Sequence, residues 1–233
     1  MIRAPALPPP FPRLHVPKNF PQFNFATYLQ VSNFAFITYL KKMLRSLTTR
    51  DKIIELGRDF VQKLGYHAFK YQLIASELNI KNAAIHHYFP TKEDLGTAII
   101  EKDLADFQWL VHSVADLPAF ERVQALIGVY HNYLQEGKNL CVIGACISAY
   151  TEMPEKMTIA SKHYQDTIYN WLVTNFKQGL ANGEFHFTGT PEDLAALWLA
   201  TLPGALQASK ARGKTYFDQV MSQLTGTLQV AAQ

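Results

Sequence analysis

An all-α fold is the architecture this sequence predicts, and three observations carry it. From residue 48 onward the apolar residues recur at helical spacing, and alternating strand patterns are few. Helix punctuation also recurs. Thr48 or Thr49, Thr91 and Thr190-Pro191-Glu192-Asp193 read as starts, and Gly65, Gly137 and Asn182-Gly183 read as stops. Finally, 233 residues with 48% hydrophobic and 18% charged composition describe an ordinary globular chain with ample core. The expectation is about nine helices, three in a small domain over residues 47–92 and six in a larger one over 93–233. Residues 1–46 form an N-terminal extension ahead of them.

The extension reads differently from the rest. Pro5, Pro8, Pro9, Pro10, Pro12, Pro17 and Pro21 make its first part unfit for helix or sheet, so it is expected to be extended or disordered. Residues 23–40, FNFATYLQVSNFAFITYL, approach the length of a membrane span, but Asn24, Gln30 and Asn33 argue against one. No small-residue cleavage site follows a short apolar core, which argues against a signal peptide. The composition breaks near Met43, and Met43 is a candidate for the true start.

Thr48 opens a helix to about Leu64 with Ile53, Ile54, Leu56, Phe60, Val61 and Leu64 inward. Tyr71–Leu78 is a short helix with Leu73, Ile74 and Leu78 apolar, interrupted by Asn79. Ile85 and Phe89, one turn apart, face inward on a second short helix that Pro90 ends. Thr91 then caps a longer helix from Lys92 to about Val114, with Asp94 at a capping-box position. That helix leaves the small domain and enters the large one, as a mechanical link. Pro118 starts a helix to about Gln135. Leu140–Met153 is apolar nearly all round and reads as buried. Pro154 opens a long helix to about Ala181. Thr190 starts one to about Ala211, with a bend expected at Pro203-Gly204, and Lys214–Val230 is the last.

Within this frame Tyr71–Leu95 carries the function. Two short helices joined by a tight turn, the second with a polar outer face of Lys81, Asn82, Ala83, His86 and His87, form the helix-turn-helix arrangement that reads a DNA major groove. Asn82 suits bidentate pairing with adenine, and Lys81 suits guanine or phosphate. Ala83 and Ala84 are small enough for close approach to the groove floor, and Ala83 is suited to touch a thymine methyl. His86, His87 and Tyr88 are further donors. Lys92 is placed for phosphate at a helix start, and Lys70, Tyr71 and Gln72 are expected at the opposite groove wall. Charge agrees. Residues 1–46 hold six Lys/Arg and no acid, 47–92 hold seven against four, and 93–233 hold nine against fifteen. His86-His87 is not read as a metal site, since adjacent helical residues diverge by about 100° and no third ligand is near. No cofactor is expected. A catalytic Ser-His-Asp order, a phosphate loop and a dinucleotide fingerprint are all lacking, which argues against an enzyme. The competing reading, a membrane-associated or interaction protein that binds no DNA, rests on residues 23–40 alone.

Asp51–Ile100 closely resembles the N-terminal DNA-binding domain of TetR-family transcriptional regulators, through DKIIELGRDFVQKLGYHAF and IKNAAIHHYFPTKEDL. The chain departs from the family at His86 (usually Tyr), Asn79 (usually Gly) and Ala84 (often Ser or Thr). The resemblance implies a homodimer on near-palindromic double-stranded operator DNA, released by an effector bound in the large domain, and the leading expectation is a cytoplasmic repressor. It also implies dimerisation through the last two helices. There Ala195, Ala196, Ala200, Ala205 and Ala208 would permit close approach.

LCVIGACISAY, residues 140–150, is similar to a Cys-containing subgroup of the family, the NemR type, and Cys141 is the position carried over as a sensor of electrophiles or oxidants. A helix N-terminus lowers a thiol pKa, and Cys141 sits near one. Two cysteines form no disulfide framework, which fits a reducing compartment. The alternative input is a small hydrophobic or planar ligand. Phe107, Trp109, Tyr130, Tyr133, Tyr150, His163, Tyr164, Trp171, Phe176 and Trp198 are the available lining residues, about a third of them expected to face a cavity.

Overall fold

Thr48 sets the point at which the chain becomes helical. Its hydroxyl accepts the Asp51 N–H at 3.2 Å while the Asp51 carboxylate accepts the Thr48 N–H at 3.2 Å, a reciprocal capping box. A computed structural model describes residues 47–230 from this cap onward. The expectations for residues 1–46, including Met43, lie outside the described residues. Helix α1 (Thr49–Leu64) buries Ile53, Ile54, Gly57 and Val61 and ends where Gly65 takes φ 84°. Leu64, expected in the buried stripe, is exposed because the helix stops there and Gly65 turns the chain away.

Helix α2 (Tyr71–Leu78) leads through Asn79 to α3 (Asn82–Tyr88). Asn79 adopts φ 52°, ψ 47°, a left-handed turn that Asn tolerates better than most side chains. The inner face of α2 is Tyr71, Ile74, Ala75 and Leu78, an i, i+3, i+4, i+7 stripe. That phase turns Leu73 outward, against expectation. Ile85 and Phe89 are buried as their spacing predicts.

Helix α4 (Lys92–Ser113) starts at a second capping box, Thr91 with Asp94, and packs against both α1 and α7 (Glu155–Ala181). Between them in sequence lie α5 (Ala119–Gln135) and α6 (Val142–Ser148). The buried segment expected over Leu140–Met153 is therefore a shorter helix, followed by a 3-10 turn at Tyr150–Glu152. A third capping box, Thr190 with Asp193, starts α8 (Pro191–Arg212), which continues through Pro203, and α9 (Lys214–Gly226) follows. The last helix ends before Val230. Gln229–Val230 (β2) instead pairs antiparallel with Phe185–His186 (β1). Among the described residues the fold is nine helices and this one ladder, so the all-α expectation holds.

The body core centres on Trp198, Phe176, Phe185 and Phe217. Phe176 meets Trp198 at 5.6 Å between ring centroids. Along α8, Ala196, Leu197, Ala200 and Gly204 face outward, whereas Ala195 and Ala205 are buried in the chain's own core and cannot contribute to an outer seam. No helix among the described residues is long and apolar enough to cross a membrane.

Candidate nucleic-acid interface

The turn at Asn79 holds α3 against the chain through Ile85 and Phe89, so the rest of that short helix projects outward. Lys81, Ala83, His86, His87 and Tyr88 are all exposed, and Lys70 and Gln72 lie exposed at the start of α2. His87 meets the Tyr88 edge at 5.3 Å. His86 lies 4.9 Å from the Tyr71 ring, with Nδ1 3.2 Å from the Pro90 carbonyl oxygen, so one of its nitrogens is engaged locally.

Three expected contacts differ from this pattern. Tyr71 is buried, not groove-facing. Its hydroxyl donates to the Phe89 carbonyl at 3.0 Å and to the Thr91 carbonyl, tying α2 to the segment that enters α4. Burial, with Asp94 and Tyr66 adding, pushes this phenol up to about 12. Asn82 is half-buried, and its Oδ1 is enclosed with no hydrogen-bond partner among the described residues, so pairing with adenine requires the amide to swing out. Lys92 is folded back, with Nζ 4.3 Å from the Tyr66 ring centroid and 4.7 Å from that of Phe69. Burial and then the neighbouring Lys70 lower its pKa. Lys92 thus packs the start of α4 onto the loop before α2, and it reaches phosphate only by leaving those rings.

Residues 53–99 match the family model of bacterial regulatory proteins of the tetR family. Residues 53–99 are thus a TetR-type N-terminal domain, and the chain shares its fold with solved TetR-family regulators. A TetR-family regulator from Legionella pneumophila shares 26% identity with a TM-score of 0.71, covering 78% of this chain and 98% of its own. One from Agrobacterium tumefaciens shares 24% identity at a TM-score of 0.73, covering 78% and 97%. The reduced form of E. coli NemR, at 18% identity and a TM-score of 0.66, covers 80% of this chain and all of its own, and shares the fold. A search of curated proteins finds no match.

In the larger helical body, the expected effector residues are mostly packing partners. Phe107 meets Tyr164 at 6.2 Å and Trp171 at 5.6 Å, and Tyr130 meets Tyr133 at 5.8 Å. Aromatic rings at helical spacing have filled the core. Trp109 and Tyr150 are exposed, and Phe176 and Trp198 are enclosed in the main core. Two open grooves of about 400 and 430 Å³ run along α4, and of the expected lining set only His163 borders one.

Cys141 is the N-cap of α6, and its Sγ accepts the Gly144 N–H at 3.2 Å. The helix-start placement is as expected, but the acidity is not. Burial pushes the thiol up to about 11, outweighing the Gly144 and Tyr130 hydrogen bonds that favour thiolate. Cys146 is buried too and pushed up to about 12, and neither cysteine forms a disulfide.

Beside the thiols lies a polar cluster that sequence reasoning missed. Asp103 is buried, accepts the Tyr164 hydroxyl at 3.1 Å and meets Arg58 of α1 at 3.4 Å. Arg58 also reaches Asp106 and Glu55, both at 2.5 Å. Full burial raises the Asp103 pKa, with Arg58 countering in part. A readable signal existed: Asp103 sits midway between Ile99 and Phe107 at i±4, a carboxylate on the buried face. Among the described residues no group of three or more His, Cys, Asp or Glu is arranged to hold a metal ion.

Proposed function

We propose that this TetR-family chain is a cytoplasmic homodimeric regulator of transcription, a repressor that binds operator DNA and leaves it when an effector enters the body. The carrying observation is the outward polar face of α3, with Lys81, Ala83, His86 and His87, flanked by Lys70 and Gln72 on α2. Small side chains and donors on a projecting helix suit base edges, and the flanking lysines suit phosphate. The outward Ala196, Ala200 and Gly204 of α8 support pairing of α8 and α9 with a second copy. The burial and weak acidity of Cys141 favour a hydrophobic small molecule over direct attack by an electrophile. Such a molecule would enter by rearranging Phe107, Tyr130, Tyr133, Tyr164 and Trp171.

Selection of duplex fragments from a random pool, with and without a thiol oxidant and planar hydrophobic compounds, tests this. The expected product is a near-palindrome whose affinity falls steeply with salt. Failure to enrich any duplex overturns the DNA reading. Release by oxidant that Cys141→Ser abolishes would instead establish the thiol as the input.

A further inference from the structure

Helix α1 is fastened to the body at its C-terminal turn. The last carbonyls of a helix have no N–H of their own helix to accept. Here the body supplies the donors. The Gln62 carbonyl accepts the Asn139 N–H at 3.1 Å and the Leu140 N–H at 3.0 Å, and the Lys63 carbonyl accepts Asn139 Nδ2 at 3.3 Å. One residue upstream, the Lys138 N–H donates to the Tyr133 carbonyl at 2.8 Å, at the end of α5. One residue downstream, Cys141 begins α6 and its carbonyl accepts the Ala145 N–H at 3.0 Å. Four consecutive residues therefore touch the ends of α5 and α1 and the start of α6.

Gln62 adds a second observation. Its side chain is 99% buried by accessible area, being 1% exposed, yet neither Oε1 nor Nε2 has a hydrogen-bond partner among the described residues. A buried amide open at both ends disfavours the arrangement that encloses it.

We infer that Gln62 and Asn139 form a second joint between the DNA-facing helices and the body, a positioning pair that carries rearrangement of the α5–α6 region to α1 separately from α4. Its output rests on the DNA-binding reading, whereas its mechanics do not.

Hydrogen exchange of the full chain tests both parts. In the free protein, Asn139→Ala removes one side-chain bond of the joint and is expected to speed exchange of the Leu140 amide about fivefold. Gln62→Met removes the open amide at similar volume and is expected to slow that exchange about threefold. Unchanged exchange in both variants, or shifts of the same sign, overturns the joint. A duplex recovered by selection with the wild-type protein then serves as probe. Its binding is expected to slow exchange over residues 138–146 in the wild type and to lose that effect in Asn139→Ala, with the α4 amides responding alike in both. Equal protection of 138–146 in the variant overturns the transmission role, which a merely stabilising contact would not possess. If no duplex is ever recovered, the DNA reading falls, and the free-protein arm alone decides whether the joint exists.

Discussion

Replacing Arg58 with Met should reveal what the buried carboxylate of Asp103 demands. Arg58 is the cation that meets Asp103, at 3.4 Å, and among the described residues the Tyr164 hydroxyl, at 3.1 Å, is the hydrogen-bond partner left when it is removed. Breaking a buried pair from one side typically costs 3–5 kcal/mol. The lower end, about 3 kcal/mol, applies here because Lys102 stays beside Asp106 and Glu55 and keeps those two partly compensated. For a chain of this size that is a fall in Tm of roughly 6–12 °C. The pH dependence has a definite sign. Burial raises the Asp103 pKa, so the native state holds this proton more tightly than the unfolded chain. Its contribution therefore grows as pH falls through the native pKa to the unfolded one and is lost as pH rises through the native pKa, and loss of Arg58 moves that window upward. Urea unfolding of wild type and variant at pH 8 and pH 6 measures it. The deficit should shrink on acidification by at most about 1.4 kcal/mol per pH unit, the limit for one proton. Adding Asp103→Asn to the variant should restore most of the loss. A deficit below about 1 kcal/mol at pH 8, or one insensitive to both acid and Asp103→Asn, refutes the assignment of the cost to an unpaired carboxylate.

Three further outcomes follow from the same geometry. Tyr71→Phe deletes the donor to Phe89 and Thr91 and should cost about 1–2 kcal/mol in urea unfolding, with the salt slope of DNA binding unchanged. A changed slope would return Tyr71 to the groove wall. Lys81→Ala should lower the salt slope by about one charge, whereas Lys92→Ala, lost from its stack on Tyr66 and Phe69, should lower stability more than slope. The reverse ranking in filter-binding titrations would show Lys92 on phosphate. Iodoacetamide should label Cys141 of the native protein very slowly at pH 7.5, and rapidly once urea unfolds it, because the buried thiol is pushed up to about 11. Fast native labelling, read by peptide mass spectrometry, would contradict the buried environment.

The helix boundaries were legible where a local side chain decides them. Thr48, Thr91 and Thr190 each close a capping box with an Asp three residues on, and such signals need no tertiary knowledge. The helix-turn-helix was legible for the same reason, through Asn79, the Ile85–Phe89 pair and Pro90. Orientation was harder. Leu73 and Tyr71 compete for the inner face of α2, and only the phase fixed by Ile74, Ala75 and Leu78 gives it to Tyr71. The body's aromatic residues could not be sorted into cavity and core, because helical spacing is common to both. Cys141 shows a contest of magnitudes: its place at a helix start was readable, but the burial that outweighs it comes from distant segments. Gln62 and Asn139 escaped notice because their relation is a contact across 76 residues between Asn139 and Lys63 that leaves no periodic trace.

Helix α4 has a consequence for how small an input can matter. Its 22 residues span about 33 Å at 1.5 Å per residue, and Asp103, tied to α7 through Tyr164, sits at its midpoint. A pivot placed there would divide the rod into two nearly equal arms. A tilt of about 5° moves each end by only about 1.5 Å, in opposite directions, for arms of about 16 Å. A rod pivoted at its centre neither magnifies nor shrinks. With such a pivot, a side-chain-sized displacement near Ser113 would return at nearly full size and reversed at Lys92. Gain would have to come from where along the rod the push is applied, so a molecule lodged closer to Asp103 would swing the far tip further than one lodged near Ser113.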